Sequence, residues 1–232
     1  MKTMLQSILV LSGLTLGTLG AHAQTPSKPE RLAASGWEHY RHGRLEAAVQ
    51  DFNRAVRLAP DNRSAAEGLA QAAYELQDWT NAKRGYEIAC ALSPENCDFT
   101  KRLASVYLVM KLYDRALLQF EQVVGESGSP GCDPADFGAR TNLGYLYSRS
   151  QDEKSDAKAF EILNQVTSSA AADSSSLSQA HFHLGNLYKR KGDLDLAIQN
   201  LERCFELAPG RLEGRDVLEQ LLLEKKALRK GG

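Results

Sequence analysis

A small set of residues returns every 34 positions. Ala48, Phe52, Ala55 and Pro60 are spaced 4, 3 and 5 apart. Ala82, Tyr86, Ala89 and Pro94 keep that spacing 34 residues later, and Ala116, Phe120 and Val123 keep it another 34 on. Ala197, Leu201, Cys204 and Pro209 restate it near the C-terminus. Internal repetition at this period marks a helical solenoid, in which each helix–turn–helix unit buries its apolar faces against its neighbours. No strand-like alternation interrupts it, so the chain is expected to be almost wholly helical after residue 29.

The first 23 residues read as a targeting segment. Lys2 supplies a positive n-region, Met4 to Leu19 is apolar and uncharged, and Ala21-His22-Ala23 is a small-x-small cleavage site that places Gln24 first in the exported chain. The apolar run is shorter than the roughly 20 residues that span a bilayer, and Gly13, Gly17 and Gly20 weaken it. An uncleaved N-terminal anchor is the alternative. No cysteine lies near the cleavage point, so lipid attachment is not expected there, and nothing later is apolar for long enough to span a membrane. Loss of Lys2 takes the formal charge from −1 to about −2. Such a chain has no long-range field to draw in nucleic acid or an anionic membrane. The basic run Lys225, Lys226, Arg229 and Lys230 complements the C-terminal dipole of a last helix.

Five units follow the segment, at about 29–62, 63–96, 97–127, 137–167 and 178–211 within a solenoid spanning 24–209. Leu32 to Arg41 forms the first A helix, Gly43 ends it, and Leu45 to Leu58 forms the first B helix; Asp61 and Asn62 are N-cap candidates for the next. Between units three and four, Gly125, Gly128, Pro130, Gly131 and Pro134 are loop chemistry. The fourth B helix is degenerate. Asp156, Phe160 and Leu163 or Ala159, Leu163 and Val166 can form its inner triad, and the second keeps Asp156 out of the packing. Thr167 to Ser176 reads as a flexible connection. Residues 212–232 form a capping helix and basic tail, the helix beginning near Arg211 with Val217, Leu218, Leu221, Leu222 and Leu228 on about one face.

Residues four and three apart share one helix face. A small residue at the first place lets the A and B helices approach, an aromatic or Leu fills the gap, and a second small residue receives the next unit. Gly36, Gly144 and Gly185 take the same close-approach role on their A helices, and Ala70 and Ala104 stand there in units two and three. With Leu143-Gly144 and Tyr147, or Leu184-Gly185 and Tyr188, in helix A, and small–aromatic–small–Pro in helix B, the chain resembles the tetratricopeptide repeat. The resemblance covers nearly all of the chain after the targeting segment and is weakest in unit four. It implies an all-α, right-handed superhelix, a binding scaffold whose A helices line a concave groove for a peptide or a partner helix.

By that family's geometry, the residues facing the groove include Trp37, Tyr40 and Arg41 in unit one, and Glu67, Gln71 and Tyr74 in unit two. Lys101, Ser105 and Leu108 follow in unit three, Thr141, Tyr145 and Arg149 in unit four, and Phe182, Asn186, Lys189 and Arg190 in unit five. Aromatics and arginines are the usual interface anchors. Trp37 is the leading anchor, placed away from the alanine-lined B helix; packing against residues 24–30 as an N-terminal cap is its alternative. One subtype of the family clamps a partner's terminal carboxylate with Lys and Asn. Lys101 and Asn142 match part of that clamp, but Ser105, Gln179 and His183 stand where it needs Asn, Lys and Arg.

No catalytic, cofactor or metal motif is found. His181 and His183 are two apart and point to different helix faces; His39 and His42 are three apart and could share a face, but no carboxylate or cysteine lies nearby at obvious ligand spacing. Of four cysteines, none forms a Cys-x-x-Cys pair. Cys97 opens the third A helix and Cys132 lies in the loop after the third B helix, so both fall on one edge of the stack and form the proposed disulfide. Cys90 is the rival partner for either, and Cys204 replaces a small core residue as a buried free thiol. The leading functional expectation is a non-enzymatic interaction scaffold of the cell envelope, in the periplasm or secreted, with a protein partner. It would act in assembly of an envelope, pilus or secretion structure. A self-associating solenoid and a substrate-binding or enzymatic module are the alternatives.

Overall fold

The computed structural model describes residues 25–124, 132–133 and 135–231. The targeting segment, the end of unit three past Val124 and most of the loop after it lie outside the described residues. Eleven helices and no strand are present among the described residues: α1 (Lys28–Arg41), α2 (Leu45–Leu58), α3 (Arg63–Glu75), α4 (Trp79–Leu92), α5 (Cys97–Val109), α6 (Tyr113–Val124), α7 (Phe137–Arg149), α8 (Glu153–Thr167), α9 (Ser174–Lys191), α10 (Leu194–Leu207) and α11 (Arg215–Gly231). Each helix packs on the next, and α1 on α3 and α7 on α9 also touch across units. The odd-numbered helices from α1 to α9 are the A helices of the five units, and the helices stack in chain order as an all-α solenoid.

Local chemistry sets the helix ends. Ser27 and Glu30 form a reciprocal capping box at α1. Asn62, Asp78, Asp136, Asp152, Asp173 and Asp193 each accept a hydrogen bond from a backbone N–H in the first turn of the helix that follows. Every A helix then turns into its B helix through one left-handed residue. Gly43 and Gly192 take it with φ of 69° and 79°, whereas Gln77, Lys111 and Gln151 hold it with φ of 59°, 59° and 54°.

The recurring triads are the core. Ala48, Phe52 and Ala55, Ala82, Tyr86 and Ala89, and Ala197, Leu201 and Cys204 are sealed from solvent. Close approach depends on missing side chains. A Cβ at Gly36 would sit 2.7 Å from the Phe52 ring, and one at Gly85 would sit 2.5 Å from the backbone nitrogen of Ala70.

In unit four the inner triad is Ala159, Leu163 and Val166, all fully buried. Asp156, expected to stay out of the packing, is buried as well; Arg190 of α9 satisfies it across the unit junction. Two other expectations are corrected. The connection between α8 and α9 is short, because Asp173 caps α9 at Ser174 and extends it a turn ahead of the repeat. The last helix starts at Arg215 rather than near Arg211, after Gly214 turns the chain with φ of 86°. Only Leu221 of its apolar residues is buried. Val217 and Leu218 are half-buried, and Leu222 and Leu228 are exposed, so α11 lies on the stack by its first half. Phe182, Ala197, Ile198, Leu201, Cys204 and Leu221 form a small core separate from the main one.

Candidate functional site

The groove is built on five A helices, and its side chains divide into those already engaged and those left free. Trp37 on α1 is engaged. Its ring meets Phe52 of α2 edge-on at 5.1 Å and Tyr40 at 5.5 Å, and its Nε1 donates to Ser64 Oγ of α3 at 2.9 Å. The residue therefore does not point away from its B helix, because the small Gly36 beside it leaves the Phe52 ring within reach. Tyr40 donates to the Glu75 carboxylate of α3, which holds its phenol above the ordinary range. Arg41 is exposed.

On α3, Glu67 and Gln71 are half-buried, and Tyr74 packs edge-on against Trp79 at 5.6 Å and Tyr86 at 6.2 Å. The Arg102 guanidinium of α5 lies over the Tyr74 ring, 5.9 Å from its centroid. Lys101 bonds Asp136 at 2.9 Å and lies 3.4 Å from Asp98; its pKa is raised, chiefly by the Asp136 hydrogen bond. Ser105 donates back to the Lys101 carbonyl. Leu108 is half-buried and Val109 is 50% exposed.

On α7 and α9 two expected groove residues are corrected. Thr141 is fully buried and donates to the Phe137 carbonyl one turn back, on a helix that packs against both α8 and α9. Phe182 is buried under the chain between α10 and α11, with the Arg211 guanidinium 4.0 Å from its ring centroid. Tyr145 stays on the surface of the groove, stacked with His183 at 4.8 Å, and Asn186 donates to the Phe182 carbonyl. Arg149 sits 3.8 Å over the Tyr113 ring. Lys189 is exposed, and Arg190 is tied to Asp156.

Residues 34–96 match one tetratricopeptide repeat profile and residues 178–211 match another. The fold agrees with solved structures of that kind. YrrB, described as a TPR protein with an unusual peptide-binding site, superposes with a TM-score of 0.63 at 18% identity, covering 84% of this chain and 90% of that one. A MamA fragment from Desulfovibrio magneticus RS-1 gives 0.62 at 22% identity, covering 81% and 99%. Another MamA structure gives 0.62 at 15%, covering 78% and 91%. Residues 34–96 and 178–211 are tetratricopeptide repeats, and the stack they belong to has the fold of these structures.

Several residues of the tetratricopeptide groove were not legible from the repeat alone. Ser64, Glu75, Arg102 and Tyr113 enter through partners on the neighbouring unit, and a single unit's pattern carries no signal for such pairs. His183 is another. Burial pushes its pKa down to about 4, with Arg211 adding to the effect, so its imidazole is neutral at pH 7. Arg211 itself comes from the last position of the fifth unit, after the end of α10. A different cleft, of about 750 Å3, opens on the B-helix side between α6, α7 and α8, with Leu118, Leu143 and Ile162 in its walls. Tyr147 bonds Glu121 and Lys158 in that same cleft. The histidines are tied individually: His39 lies 3.6 Å from Asp51, and His181 bonds Asn200.

The cysteines sort as the edge argument expects. Cys97 and Cys132 are bridged with their Cα atoms 5.0 Å apart, fastening the start of α5 to the loop before α7. Cys90 is free and half-buried, its pKa raised by burial. Cys204 is free and buried, its sulfur 3.4 Å from Ser178 Oγ.

Proposed function

We propose that this protein is a non-catalytic scaffold, exported to the periplasm or beyond, that holds a peptide or helix of a partner protein in its groove. It would serve assembly of an envelope, pilus or secretion structure. The observation that carries the reading is the divided groove. Buried packing fixes the frame, while Arg41, Val109, Arg149 and Lys189 are left on the A helices exposed to solvent. The Cys97–Cys132 bridge supports export, since such bonds persist in oxidising compartments. YrrB supports a peptide ligand by analogy of fold alone.

The decisive experiment has two arms. N-terminal sequencing of the protein from a periplasmic fraction is expected to begin at Gln24; recovery of Met1 in the cytoplasm alone would remove the export reading. Peptides selected on the folded chain should lose affinity on Val109→Asp, an exposed groove change that leaves the melting temperature in place. Unchanged affinity would remove the groove. Trp37→Ala is a poor probe, because the indole also braces Phe52 and Ser64. A second reading, self-association, is favoured by one observation: α11 leaves Leu222, Leu223 and Leu228 42%, 67% and 66% exposed. Light scattering of the wild type and of a variant with all three changed to Gln separates it from the first.

A further inference from the structure

Over α5, α7 and α9 the groove carries positive charge that the protein does not neutralise. Arg102 and Arg149 make no ion pair among the described residues, and each rests on tyrosine: Arg102 over Tyr74 at 5.9 Å, and Arg149 over Tyr113 at 3.8 Å and Tyr145 at 5.8 Å, with one Arg149 Nη1–H donating to the Tyr145 hydroxyl at 3.3 Å and the others left over. Lys189 extends the stretch. The acids nearby are committed, Asp98 and Asp136 to Lys101 and Asp156 to Arg190. Toward the N-terminus the groove changes sign, with Glu67 half-buried on α3 and Glu75 bonded by Tyr40. A guanidinium laid on an aromatic face keeps its N–H edge available, the geometry that suits planar recognition of carboxylates.

A second observation falls beside Arg102. The middle place of the B-helix triad is Phe52, Phe120, Leu163 and Leu201 in four units and Tyr86 in the second. The Tyr86 hydroxyl is buried with no acceptor for its proton, and the Arg102 guanidinium lies close enough to act as a donor to its oxygen. Its surroundings are Tyr74, Tyr40 and Arg102, the last being the cation that acts on it, while burial raises its pKa to about 12. A buried donor without an acceptor costs stability that phenylalanine at this place would not. The hydroxyl has a use if a group held on Arg102 supplies the acceptor.

We propose that Arg102 and Arg149 hold the side-chain carboxylates of an acidic segment of a partner protein laid over α5–α9, with the Tyr86 hydroxyl as a buried polar contact beside Arg102. This rests on the groove being the binding face and names the chemistry of what it takes. It differs from capture of a terminal carboxylate, for which Ser105 and His183 are the wrong residues.

The test uses the full exported chain and fluorescein-labelled twelve-residue Glu/Ala, Ser/Ala and Lys/Ala peptides, read by anisotropy at low salt. The Glu/Ala peptide is expected to bind best, to weaken with added salt, and to bind equally well with its C-terminus amidated. Arg102→Gln and Arg149→Gln should each weaken it at least fivefold with unchanged thermal midpoints. Tyr86→Phe should weaken it about threefold while the midpoint holds or rises, which a purely structural tyrosine would not do. Equal binding of Glu/Ala and Ser/Ala, loss of binding on amidation, or wild-type affinity in both arginine variants would each overturn the proposal. If Lys/Ala or Ser/Ala binds and Val109→Asp abolishes that binding, the groove reading survives the failure. If none of the three peptides binds, both fall.

Discussion

The first three units and the last two share one plan but are held by different means. Units one to three keep the 34-residue period, and aromatic rings, Phe52, Tyr86 and Phe120, fill the middle of each triad. A hydroxyl–carboxylate brace crosses the junction of units two and three, where Tyr107 of α5 bonds Glu87 of α4 at 2.8 Å, and recurs between units three and four, where Tyr147 of α7 bonds Glu121 of α6. At the last junction Tyr188 meets the Phe160 ring instead, at 4.9 Å, and the charged contact moves to Arg190 and Asp156. Leucines replace the aromatic rings, and a small separate core takes over under α11. Between the two halves the period is broken by the connection from α6 to α7. There Cys97–Cys132 and Lys101–Asp136 fasten that connection back onto α5. The difference teaches that a solenoid is stable by neighbour interfaces, and that where a connection interrupts the stack other bonds take up the load.

That comparison can be broken most readily in the cores. Phe52→Ala should cost about 4–5 kcal/mol, and Leu201→Ala about 3, because the second site is smaller and lies in the satellite core. Urea titration with hydrogen exchange should show α10 and α11 opening before α2 and α4. Equal costs with one common transition would show that the halves are not distinct. Joint replacement of Cys97 and Cys132 by Ser should cost about 4 kcal/mol on the chain-entropy account, lost likewise on adding reductant to the wild type. A shift well under 1 kcal/mol would mean that packing alone closes the break.

His183 gives the C-terminal half its own pH response. Its pKa is depressed in the folded state, to about 4 from 6.5, so its neutral form contributes stability above pH 6.5. That contribution falls progressively between those values and is gone below about 4. Partial access to water holds the full loss to on the order of 2 kcal/mol. His183→Gln should flatten the decline across this range; an unaltered pH profile would contradict the burial argument. The smallest effect is local. Gln77, Lys111 and Gln151 hold the left-handed turn that Gly43 and Gly192 take without strain. Each change of these three to Gly should stabilise by about 0.5–1 kcal/mol, with the gain in strain relief partly offset by unfolded-state entropy. A loss of stability, read from chemical denaturation, would show that the side chains support the turn by contacts of their own.

The sequence by itself determined the helices, their pairing and their order. Spacings of 4 and 3 within 34 are properties of one chain segment, and burying the same face in each unit leaves little freedom in how the units stack. It also placed the disulfide, since both cysteines fall on one edge of a helical hairpin. Legibility ended wherever an outcome depended on two units at once. Asp156 can be buried because Arg190 of the next unit reaches it, and Thr141 is buried on a helix packed against α6, α8 and α9 at once. Phe182 looks like a groove residue until Arg211, from the chain after α10, covers its ring. Trp37 turns out to brace Phe52 and Ser64, while Arg102 and Tyr86 meet beside Tyr74. These pairs are decided by the angle and offset between neighbouring A helices, which follow from side-chain volumes across the interface and have no period along the chain.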